Sequence, residues 1–257
     1  MIRPVALVTG ASAGIGTAFA HELAGRGYDL VLVARRRDRL DALAAELATK
    51  HAGTNVRVLP ADLEDAAGVR AVVDELARDG VAVDLLINNA GFGAHGSFVA
   101  MDPAKTAGQI ALNVAALVAL ARAFAPGMVE RRRGGIINVA STAGFQPLPG
   151  MAVYGATKAF VLSFSQALHE ELRRSGVRVV ALCPGATETE FFTIAGEKAS
   201  VGTRRSVSDV VRTGLRALDK NQAVAIDGFV NAFSSNTVGL LPRALATRIA
   251  GRLMQAG

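Results

Sequence analysis

The chain has 257 residues, 51% of them hydrophobic, with 28 Lys and Arg against 22 Asp and Glu and a formal charge of +6. A charged share of only 19% excludes a disordered chain, and the length suffices for a packed core without disulfides or a structural metal. One cysteine, Cys183, excludes an internal disulfide and a Cys-rich zinc site, and the scattered His21, His51, His95 and His169 show no ligand spacing, so no metal site is expected.

Residues 5–8 are already an apolar run, so no separate signal segment is expected ahead of them. The uncharged apolar stretch 106–121 falls short of the ~20 residues a spanning helix needs, and a cytoplasmic protein is expected. Residues 5–9 read as a strand, 14–26 as a helix ending at Gly27, 30–33 as a strand and 39–50 as a helix. Strand 56–59, helix 66–78 and strand 85–88 follow, and then a long apolar helix over 105–124 that Pro126-Gly127 should stop. Strand 136–139, helix 153–175 and strand 177–182 continue the rhythm, and helix 207–218 with strand 224–226 completes it. Continuous apolar strands alternating with helices predict a parallel sheet covered on both faces, doubly wound through right-handed crossovers. No linker or repeat divides residues 1–257, so a single α/β domain is expected, with an insertion around 187–205 and a helical tail. That tail, 242–255, is basic and amphipathic, carrying Arg243, Arg248 and Arg252; such a helix can touch a membrane or a partner, and packing on its own domain is the commoner outcome.

Between the first strand and helix stands Thr9-Gly10-Ala11-Ser12-Ala13-Gly14-Ile15-Gly16. Glycines there allow a sharp turn and let a pyrophosphate approach the helix N-terminus, where free N–H groups favour anions. A site for NAD places a carboxylate at the end of the second strand to hold the ribose 2′-hydroxyl. This chain instead reads Val33-Ala34-Arg35-Arg36-Arg37, with no carboxylate before Asp38. Guanidinium pairs with phosphate, so NADP(H) is favoured over NAD(H), with Arg35 as the expected 2′-phosphate ligand.

Asn88-Asn89-Ala90-Gly91 ends the fourth strand, Ser141 follows the fifth, and Asn113 lies on the long apolar helix. Tyr154 and Lys158 are four residues apart and share one helix face. In order, these segments and Cys183-Pro184-Gly185 resemble the motifs of a short-chain dehydrogenase/reductase, over roughly residues 4 to 230. The resemblance implies a Rossmann-type fold and hydride transfer between a nicotinamide and a carbonyl or secondary alcohol. It implies Tyr154 as general acid/base, Ser141 as partner of the substrate oxygen, Lys158 as tuner, and Asn113 as holder of a water linking Lys158 to solvent. A free tyrosine has a pKa of about 10, and a nearby ammonium with an oxidised nicotinamide is expected to lower it. The same resemblance places Asp62 and Leu63 at the adenine, and Asn89, Ala90 and Gly91 beside its ribose. Pro184 and Gly185 would flank the nicotinamide, Thr187 or Thr189 would reach its carboxamide or the phosphates, and Ser12 would meet the 2′-phosphate beside Arg35. Ala13 departs from the pattern, standing where some NADP-dependent members carry Arg or Lys.

Phe145, Leu148, Met151, Phe191 and Phe192 are expected to line an apolar carbonyl or alcohol site. With no Trp and two Tyr there is no base-stacking machinery, so nucleic acid is not an expected partner. A homodimer or homotetramer is implied by the resemblance. A non-catalytic NADP-binding regulator is the alternative, and an epimerase or dehydratase with tightly held cofactor is disfavoured by the short chain. Intact Ser141, Tyr154 and Lys158 argue against the regulator.

Overall fold

Ala6, Leu7 and Val8 are all fully buried, which successive strand residues are only when both faces of their sheet are covered. The computed structural model describes residues 3–196 and 204–256. Its strands are β1 (Val5–Thr9), β2 (Asp29–Ala34), β3 (Val56–Pro60), β4 (Val83–Asn88), β5 (Gly134–Val139), β6 (Val177–Cys183) and β7 (Val224–Ile226). All neighbours pair in parallel, in the order β3-β2-β1-β4-β5-β6-β7. The chain winds outward from β1 to β3, then returns to β4 and winds the other way. The crevice beyond the carboxyl ends of β1 and β4 is therefore the switch point where ligands of such sheets bind.

The helices are α1 (Gly14–Gly25), α2 (Arg37–Lys50), α3 (Ala66–Arg78), α4 (Pro103–Ile110), α5 (Leu117–Glu130) and α6 (Ala152–Leu172), followed by α7 (Phe191–Ala195), α8 (Val207–Asp219), α9 (Phe229–Val238) and α10 (Arg243–Ala256). Phe19 and Leu23 of α1, Leu40 and Leu47 of α2, and Leu215 of α8 form the core on one face. Val72 and Leu76 of α3 with Leu120 and Met128 of α5 form the other, and Phe164 and Leu168 of α6 pack against it. Each fully buried side chain of this size contributes about 1.5–3 kcal/mol. The result is a single Rossmann-like α/β domain.

The helix expected over 105–124 instead runs from Pro103 to Glu130 through Pro126. Pro126 takes the helical partner from the exposed Arg122 carbonyl, and the packing of Leu120 and Met128, on either side of it, in one core carries the helix on. At this length the helix is long and apolar enough to cross a membrane. Leu117, Leu120, Ala121 and Met128 nevertheless lie buried in the domain's own cores. Between α4 and α5, residues Ala111–Ala116 form a π turn that carries Asn113.

Of the insertion expected at 187–205, residues 197–203 lie outside the described residues. Its two ends are tied by a parallel bridge between Thr187 and Arg205. Arg205 is in turn anchored to the fully buried Asp227, with Nε at 2.9 Å. Helix α9 has no counterpart in the sequence expectations, because its apolar residues do not follow an inward-facing pattern.

Candidate active site

Thr9 closes β1 by donating from Oγ1 to the Ile87 carbonyl and accepting from the Asn89 and Ala90 N–H groups. The Asn89 amide donates to the Thr9 and Gly10 carbonyls at 2.9 and 3.3 Å, which locks the glycine loop to the end of β4. Gly10 has φ +65°, and a Cβ on Gly16 would stand 2.2 Å from the Gly10 carbonyl oxygen. Only glycine fits that crossing. Ala13 at the N-cap of α1 makes no side-chain cap, so no side chain competes for the first-turn N–H groups beside Gly14 and Ile15.

At the far side of the switch point, a buried chain of amides fixes the catalytic helix. Asn88 Nδ2 donates to Asn138 Oδ1 at 2.9 Å, Asn138 Nδ2 to Ser165 Oγ at 2.9 Å, and Ser165 Oγ to the Val161 carbonyl. This chain stitches β4, β5 and α6 together beneath Tyr154 and Lys158. The π turn aims Asn113 inward, where its side chain exchanges hydrogen bonds with the Phe92 main chain and donates to Thr157 Oγ1 at 3.1 Å. Thr157 passes the connection on, donating to the Tyr154 carbonyl at 2.8 Å. Ser141 caps a single 3-10 turn, accepting from the Ala143 N–H at 3.1 Å.

One cavity of about 590 Å³ joins these parts, from Gly10, Ser12 and Gly14 past Asn89, Ala90 and Gly91 to Ser141, Tyr154 and Lys158. A short-chain dehydrogenase family model matches residues 4–199. The chain belongs to the short-chain dehydrogenases. It is 39% identical to an NADP-dependent 3-hydroxy acid dehydrogenase of Salmonella typhi over 74% of this chain and 75% of that one. A short-chain dehydrogenase from Sphingobium yanoikuyae, solved in complex with NADPH, superposes with a TM-score of 0.83 at 42% identity, covering 92% of this chain and 94% of its own. The bulky-bulky ketone specific alcohol dehydrogenase from Comamonas testosteroni gives 0.78 at 36% identity, covering 92% and 93%.

In this short-chain dehydrogenase the cavity is lined by every residue expected from sequence at the cofactor except Gly16, which lies under the loop. The basic turn differs from expectation. Arg35 turns away from Ser12 to pair with Glu64 at 2.9 Å, and Asp62 stands 4.0 Å from the same nitrogen. Arg36 takes the place expected for Arg35, reaching Ser12 Oγ with Nη2 at 3.1 Å and Nε at 3.3 Å. It also meets Glu190 at 3.0 Å, and Arg39 meets the other oxygen of that carboxylate at 2.5 Å. Arg36 was visible in the sequence as one of three adjacent arginines, whereas Glu190 gave no signal.

Burial pushes the Tyr154 phenol up to about 12, opposed by its hydrogen bond with Ser141. The Lys158 ammonium donates to the Val139 carbonyl at 2.6 Å and stands 5.8 Å from the Tyr154 ring centre. Burial brings Lys158 itself down to about 8. Cys183, fully buried at the end of β6, has its thiol pushed up to about 12 by the same cause. Asn113 likewise directs both side-chain groups at Phe92 and Thr157.

Leu148, Met151, Phe191 and Phe192 line the cavity beyond Tyr154, as expected. Phe145 does not, and packs instead against the buried cluster around Leu117 and Val161. Asn231, Ser234 and Ser235 of α9 and Ala250 of α10 complete the wall, a contribution absent from the sequence expectations.

Proposed function

We propose that the protein is an NADPH-dependent reductase of bulky, uncharged ketones, reversible as a secondary-alcohol dehydrogenase. The observation that carries this reading is the single cavity joining the glycine loop and Arg36 to Ser141, Tyr154 and Lys158, with an apolar wall beyond them. Ser12, Arg36 and the exposed Arg35 suit a 2′-phosphate, and the open N-terminus of α1 suits a pyrophosphate. Ala34 offers a free 2′-hydroxyl no carboxylate. Asp62 and Leu63 would hold the adenine, and Pro184, Gly185, Thr187 and Thr189 the nicotinamide end. Bound NADPH supplies the hydride. Tyr154, a protonated phenol at neutral pH, gives its proton to the carbonyl oxygen as negative charge develops there, and Ser141 holds that oxygen by a hydrogen bond. Lys158 places a buried positive charge beneath the reacting groups, and Asn113 with Thr157 holds the first turn of α6 in register.

The substrate class follows from where the cations stand. Among the described lining residues they are Arg35 and Arg36 at the phosphate end, and Lys158, which is engaged with Val139. The side chains of Leu148, Met151, Phe191 and Phe192 themselves offer no partner for a carboxylate, and the Arg204 guanidinium, 4.4 Å from the Phe192 ring centre, lies outside the described lining. This favours a neutral ketone with two large substituents over a 3-oxo acid. A carbonyl panel assayed with NADPH and NADH tests it: aryl alkyl and diaryl ketones should turn over with NADPH. Selective turnover of short oxo acids, or none of any carbonyl, would overturn it.

A further inference from the structure

Helix α9 is amphipathic the wrong way round for a helix on a water-exposed surface. Ser235 is buried and Asn231 and Ser234 line the cavity, while Phe229, Val230 and Phe233 are 86%, 77% and 64% exposed. The next turn adds Leu240, 82% exposed. In α10, Ala246 and Ala250 are buried, and the solvent side carries Leu245 and Ile249 at helical spacing with Arg248 and Arg252. Residues 228–257 contain three arginines, Arg243, Arg248 and Arg252, and no Asp, Glu or Lys. Exposed apolar side chains whose own segment supplies only cations are unfavourable in water and complementary to an apolar phase with an anionic boundary.

We propose that α9, the turn after it and α10 dock the protein on an anionic lipid surface, Phe229, Phe233 and Leu240 entering the interface and the arginines meeting the headgroups. A second copy is a poorer occupant. A two-fold contact through this face would bring six guanidiniums together with no carboxylate from the same segment. The docking claim stands independently of the ketone reading. If that reading also holds, an apolar ketone dissolved in the bilayer would meet the cavity on the inner side of the same two helices.

Co-sedimentation of the full chain with vesicles of phosphatidylcholine alone, and of equal parts phosphatidylcholine and phosphatidylserine, tests the proposal. Pelleting with the phosphatidylserine vesicles only, reversed by raising salt from about 0.05 to 0.5 M, is expected. The combined Arg243→Gln, Arg248→Gln, Arg252→Gln variant should bind about a hundredfold more weakly, each arginine contributing roughly a factor of five at an anionic surface. Phe229→Ser with Phe233→Ser should lose binding while keeping the thermal midpoint and NADPH binding. No pelleting with either vesicle, or equal pelleting with phosphatidylcholine alone, would overturn the proposal. So would a dimer that dissociates in the Phe229→Ser, Phe233→Ser variant without any vesicle binding, since the face would then belong to a second copy.

Discussion

Tyr154→Phe deletes one hydroxyl and leaves the ring against Phe191, 5.3 Å between centres. The kcat for reduction should fall by at least about 10²–10⁴-fold while NADPH affinity, read by fluorescence titration, changes little. The pH profile follows from the two buried groups. Below about 8 Lys158 keeps its proton, and Tyr154, raised to about 12, keeps its own far beyond that. Reduction, which needs the phenol, should therefore hold from neutral pH to about 8 and decline above it as the ammonium is lost. Oxidation, which needs the phenolate, should rise with pH. A reductive kcat that stays flat well above pH 8 would remove Lys158 from this role. At the cofactor, Arg36→Gln with Arg35→Gln should weaken NADPH by about 10- to 150-fold and NADH hardly at all, the loss expected from one charge-assisted hydrogen bond. Arg35→Gln alone should do less, because Glu64 already holds that guanidinium.

The glycine loop and α1 act as one unit, and the Gly10–Gly16 crossing is where it fails first. Gly16→Ala would put a methyl 2.2 Å from the Gly10 carbonyl and 2.7 Å from Asn89 Nδ2. Forcing that backbone apart should cost about 1–3 kcal/mol in thermal or urea unfolding, with a larger loss of cofactor binding. The strands around this loop were legible because strands buried on both faces are written as unbroken apolar runs between glycines and prolines. Pro126 misled because tertiary packing of Leu120 and Met128 on either side of it outweighs the one hydrogen bond it removes. The π turn under Asn113 leaves no mark in the sequence, since residues 110–121 are apolar but for Asn113 and no polar position records the change of phase. The choice of Arg36 over Arg35 was equally invisible, depending on α2 beginning at Arg37 so that Arg36 faces Ser12. Helix α9 was unreadable for a clearer reason: a pattern whose large residues point outward looks like no helix of a closed domain.

At the scale of the molecule, Ile110 of α4 and Phe160 of α6 are 50% and 43% exposed on helices that pack side by side. This face, distinct from α9 and α10, is the expected self-association surface. Light scattering at micromolar concentration should give a dimer or tetramer, and Ile110→Asp with Phe160→Asp should give a smaller species. A wild-type monomer would refute it. The burial of the single thiol has a different consequence. Cys183 sits at 0% exposure at the end of β6, in the middle of the sheet's second half, so a disulfide reagent finds nothing to attack on the closed molecule. The labelling rate is then a clock for the opening of the sheet's interior, with no introduced probe and no competing site. Any ligand held only by the closed form slows that clock by one plus the ratio of its concentration to its dissociation constant. Cofactor and substrate affinities can thus be read from chemical modification alone, with no hydride transferred.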